Sequence, residues 1–179
     1  VRASKALSLF ARPGQEGIKT RRIALVVADG IDGAAALRLH QALAEQGGVP
    51  RFVGVMLGRV QSETSDPMEI EVSMEAAPAV LWDAVAIVDG RRAIEDLAKR
   101  GHAIEFLKDQ YRHCKPILLM GKAESLLDRA QIPHALPSGK PDSGLLLFAA
   151  DDFDAALAAF VAALSKHRQF ERETDPPIV

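Results

Sequence analysis

Cysteine, long apolar runs and blocks of one charge are all scarce in this chain. The one cysteine, Cys114, has no second thiol for an internal disulfide, which fits a reducing cytoplasm. No apolar run approaches the roughly 20 residues of a membrane helix, and the opening VRASKALSLF lacks a signal peptide's long apolar centre. The expectation is a soluble, cytoplasmic protein. The 22 basic and 24 acidic residues are mixed along the chain for a net charge of -2, with no basic block to neutralise phosphates. Nucleic acid and membranes are therefore not expected partners. A methionine start is also missing, and Val1 suggests a piece of a longer polypeptide.

What is present is a well-supplied core: 48% of the 179 residues are apolar, enough for one ordinary domain. Residues 1–22 mix Pro13, Gly14 and Gly17 with charges around one apolar cluster, ALSLF at Ala6 to Phe10, and read as a linker whose cluster packs on something. RIALVVADG, RFVGVML, DAVAIVDG, PILLM and LLLFAA are near-continuous apolar runs, as expected of parallel strands buried on both faces. Between the first two, Asp32 is placed to cap a helix whose apolar face is Ala36, Leu37, Leu39 and Leu43. GRVQSE, a turn at TSDP and the alternating MEIEVSM predict a hairpin inserted beside the main sheet.

Further helices are predicted from Arg91 to Arg100, from His102 to His113 with Ile104, Leu107 and Tyr111 as its stripe, and from about Ala123 to Ala130. A closing helix, capped by Asp151 or Asp152, would bury Phe153, Leu157, Phe160, Val161 and Leu164. The tail from Arg168 ends in DPPIV and cannot continue a helix. Five strands alternating with helices imply an α/β, doubly wound, flavodoxin-like three-layer sandwich. Its ligands would bind beyond the carboxyl ends of the strands, among Asp29 to Gly33, Asp89 to Arg92 and Gly121 to Glu124.

The candidate chemistries at those places are each incomplete. KPILLMGKAESLL runs from strand to helix through a turn where many α/β enzymes carry a nucleophile, and Gly121 stands there instead. Ser125, one helical turn on, is expected to face solvent or bond a backbone carbonyl. Cys114 follows a helix C-terminus, where the local dipole disfavours a thiolate, although Arg112 and Lys115 partly offset it. His102 and His113 would lie roughly 16 Å apart along one helix and cannot clasp one ion. His40, His134 and His167 fall on separate elements with no ligand spacing.

ADGIDGAA and MGKAES lack the spacing of phosphate-binding loops, although a helix N-terminus leaves room for an anion near Gly30 to Ala34. Asp29 and Asp89 each end a strand, as the clustered carboxylates of a response-regulator receiver do. LLLFAADD lacks the lysine that such a domain carries there, and Asp-Gly is ordinary turn chemistry.

Three stretches, ALSLFARPG, IKTRRIALVVADGIDGAAALRLHQAL and GHAIEFLKDQYRHCKPILLMG, together resemble the C-terminal domain of large-subunit, haem-containing catalases of the hydroperoxidase II type. The resemblance runs from about Ala6 to Ala130 and more loosely to the last helix. It implies a flavodoxin-like domain of the class I glutamine amidotransferase-like superfamily, joined through a linker (1–21) to a catalase core, with the domain at 22–167 and a tail at 168–179.

In that superfamily an elbow cysteine works with a carboxylate near the end of the first strand. The matching positions are Gly121 and Asp32, so the nucleophile is missing. The resemblance further implies that haem and peroxide chemistry reside in the parent core, and that this chain has no catalytic, cofactor-binding or metal residues. Tyr111, the only tyrosine, falls on an amphipathic stripe and is not expected to hold haem. The implied partners are the core and neighbouring subunits of a homotetramer, and the implied roles are stability, assembly or chaperone-like protection of unfolded clients. The alternatives from the residues are a residual hydrolase or glyoxalase-like enzyme using Cys114 or Ser125, and a receiver-like domain.

Overall fold

Strands that are apolar on both sides must be covered on both sides, and the chain does this by alternating them with helices. The computed structural model describes Ser4, Ser8 and residues 17–179. In chain order the elements are β1 (Arg22–Val26), α1 (Gly33–Glu45), β2 (Val49–Gly54), β3 (Gly58–Val60), β4 (Met68–Ile70), β5 (Val72–Ser73) and β6 (Ala84–Ile87). They are followed by α2 (Arg91–Leu97), α3 (Gly101–Arg112), β7 (Ile117–Met120), α4 (Leu126–Ala130), β8 (Leu145–Phe148), α5 (Phe153–Ser165) and α6 (Glu171–Thr174). The main sheet has the order β5-β2-β1-β6-β7-β8, with each neighbouring pair parallel. Without its short edge strand β5 this is the 2-1-3-4-5 order of flavodoxin-like sheets.

The five expected strands and the inserted hairpin are therefore present, with β3 and β4 pairing antiparallel. The alternating run MEIEVSM divides where only a hairpin arm was expected. Glu71 turns its carboxylate to the Phe52 amide (2.8 Å) and to Arg51 (3.0 Å), and Val72–Ser73 joins β2 as a sixth strand. On α1, Ala36, Leu39 and Leu43 are buried as expected, but Leu37 is 46% exposed. On α5 the small Ala156 and Ala163 are buried with Phe153, Phe160 and Leu164, while Leu157 and Val161 are only partly covered. The helix expected from Ala123 begins instead as a tight 3-10 turn, Gly121–Ser125, before α4.

The packed body reaches past the expected 22–167 on both sides. Ile18, in the turn before β1, is buried. Beyond α5 the chain turns back, and Arg172 on α6 meets Asp142 through Nε–Oδ2 (2.7 Å) and Nη2–Oδ1 (3.1 Å). Both side chains are buried, and Arg172 Nη1 also donates to the Tyr111 and Lys115 carbonyls. The first part of the expected tail is thus a docked element. The ALSLF cluster lies outside the described residues apart from Ser8.

Candidate functional site

The loops after β1 and β6 meet where the strand order reverses, the usual ligand edge of such a sheet. The Asp32 amide donates to the Asp89 carbonyl (2.8 Å), and a Cβ at Gly90 would lie 2.5 Å from the Gly30 carbonyl oxygen. Only glycine allows that approach. The Asp89 carboxylate then turns toward β7, where Oδ1 accepts from the amides of Gly90 (2.8 Å) and Lys122 (3.1 Å). Gly121 stands over it with φ +57°, the left-handed region where a side chain is strained. A Cβ built there would lie 2.5 Å from Asp89 Cγ.

The first helix terminus is filled in the same way. Asp32 caps α1 by accepting from the Ala35 amide (3.1 Å), as expected of its position. The Gly33 amide donates to Ser62 Oγ (3.1 Å) and the Ala34 amide to Thr64 Oγ1 (3.0 Å), while the Thr64 hydroxyl donates to Asp32. The Gly33 and Ala34 amides, where the sequence leaves room for an anion, are therefore taken by side chains of the inserted segment. Sequence reasoning missed Ser62 and Thr64; the hydroxyl-rich QSETS marks a polar turn without saying which helix it caps.

Asp29 accepts from the Gln61 amide (2.8 Å), so Asp29 and Asp89 serve different loops. Among the described residues no group of three or more His, Cys, Asp or Glu is arranged to hold a metal ion. Ser125 donates to the Lys122 carbonyl (2.9 Å), the local bond expected of it. Cys114 is buried, and burial first and the Glu173 carboxylate second push its thiol up, away from a reactive thiolate.

The histidines are scattered. His102 opens α3 and His113 caps its end; His40 stacks on Phe52 (5.0 Å) and His167 lies 3.4 Å from Asp83. Burial, then the charge of Arg21, lowers the His167 pKa. His134 sits between Glu124 (3.6 Å) and Asp128 (3.7 Å) on an open cleft of ≈ 620 Å³ that also touches Gly121, Lys122 and Ser125.

Tyr111 does not fit an axial haem ligand. It is 1% exposed, the Arg172 guanidinium covers its ring at 4.1 Å, and burial together with the Asp142 carboxylate pushes its hydroxyl up to about 12. An axial phenolate needs the opposite shift and an open approach.

Known proteins share the fold and the sequence pattern. A two-domain protein from Anabaena variabilis with DJ-1/ThiJ/PfpI-like and ferritin-like domains superposes with a TM-score of 0.61 at 13% identity, over 65% of this chain and 34% of that one, which shows the shared fold. Catalase HPII of Pseudomonas putida is 35% identical over 95% of this chain, and catalase HPII of Mycobacterium avium is 31% identical over 90%. The chain spans only 22% and 24% of the lengths of these two relatives. Residues 19–174 match the family described as the C-terminal domain found in long catalases, and the chain belongs to that family.

Proposed function

We propose that this chain is a non-catalytic accessory domain of a long, haem-containing catalase, acting through packing and protein contacts. In this reading the haem and the peroxide chemistry belong to the catalase core of the longer polypeptide. The domain contributes to stability and assembly of a cytoplasmic homotetramer, or to chaperone-like protection of unfolded clients.

The observation that carries the proposal is the elbow. An acyl-transfer enzyme on this fold needs a nucleophile on the turn and a free amide beside it. Here Gly121 has no side chain, and the Lys122 amide is bonded to Asp89. A residual hydrolase would need Ser125 or Cys114, and the first is tied to a backbone carbonyl while the second is buried with a raised pKa. Apolar surface is available for contacts, since Met56, Leu57 and Val80 are well exposed.

Titrating the isolated chain with haem, and following oxygen release from peroxide, tests the proposal. The expected outcome is no stoichiometric haem binding and no catalase-like oxygen release. Either one, found in the isolated chain, overturns it.

A further inference from the structure

The elbow keeps the backbone shape of a nucleophile turn but not the space for a nucleophile. Gly121 has φ +57°, and the position of its absent Cβ is 2.5 Å from Asp89 Cγ and 2.6 Å from Asp89 Oδ2. The same carboxylate takes the Lys122 amide at 3.1 Å, the donor that follows the nucleophile position and faces a reacting oxygen in elbow enzymes. It also takes the Gly90 amide at 2.8 Å, and the Asp89 carbonyl is itself fixed by the Asp32 amide at 2.8 Å. Asp89 is therefore held from several sides, and moving it would disturb the crossing of the two loops.

We propose that a side chain at position 121 and the Asp89 carboxylate are mutually exclusive occupants of one volume, and that the carboxylate also takes the amide a reacting oxygen would need, so that an internal anion closes the elbow to acyl substrates. The inference rests on the reading of the domain as non-catalytic and deepens it. Replacing Gly121 alone would not give a working nucleophile. Shortening Asp89 as well frees the Lys122 amide to stabilise a thiolate, whereas the carboxylate in place opposes one.

The test uses the chain with Cys114→Ala, so that alkylation by iodoacetamide reports on position 121. The ≈ 620 Å³ cleft beside Gly121 and Lys122 gives the reagent access. The pH midpoint of alkylation for Gly121→Cys is expected to fall by about one unit or more when Asp89→Gly is added. Equal midpoints overturn the proposal.

A second cycle uses Gly121→Ala with and without Asp89→Gly. Gly121→Ala is expected to shift the unfolding equilibrium about tenfold further when Asp89 is present, a coupling typical of groups in direct contact. Additive effects overturn the proposal. If Gly121→Cys folds only together with Asp89→Gly, the exclusion is supported; if the paired variant also fails to fold, shortening Asp89 does not make room and the proposal falls. None of these results bears on haem binding or oxygen release, which test the non-catalytic reading separately.

Discussion

Lys115 carries an ammonium into the interior, where it is 1% exposed and donates to the carbonyls of Ala79 (2.8 Å) and Val80 (3.1 Å). Burial first, then repulsion from Arg168, lowers its pKa from 10.5 to about 8. The unfolded chain thus keeps a proton between about pH 8 and 10.5 that the folded chain has lost, so this group's contribution to stability rises with pH across that window. Its cost is fully present below the folded value. Lys115→Met removes the titration, while Gln110 still donates to the Ala79 carbonyl.

Urea unfolding of both proteins should show the wild type gaining on the variant between pH 7 and pH 10.5 by on the order of 3 kcal/mol. A gap that does not change with pH would contradict the assignment. Residue-level features were unevenly legible in the sequence. The empty position at Gly121 and the Asp32 cap follow from local pattern. The packing of Asp89 beneath Gly121 does not, because Asp-Gly at a strand end gives no direction for the side chain.

The docked end of the chain is the element whose energetics are easiest to isolate. Arg172 and Asp142 are 30 residues apart and pair where water is excluded. Asp142→Ala leaves a buried guanidinium without its counter-charge, which should cost about 3–5 kcal/mol in thermal or urea unfolding. Asp142→Ala with Arg172→Met removes both charges and should recover much of that loss. Equal destabilisation by the single and double variants would contradict this, because the loss would then not come from the stranded guanidinium.

No local signal marks such a pairing, and in the sequence the segment reads only as a tail that ends in DPPIV and cannot continue a helix. The strands were legible because a run apolar on both faces has few other homes. β5 was not, since its separation from β4 depends on where the Glu71 carboxylate finds its partners.

For the whole molecule, the 2-1-3-4-5 order puts the usual ligand edge of such a sheet at strand ends where the chain's own side chains hold the Gly33, Ala34 and Lys122 amides. Together with the family match, this supports the proposed role through contacts. The most direct test is turnover per haem, measured by oxygen release, for a long catalase carrying this domain and for the same protein lacking residues 19–174. Turnover per haem is expected to be unchanged, with faster thermal inactivation or weaker subunit assembly in the shortened protein. Loss of turnover per haem with haem content and assembly intact would contradict it.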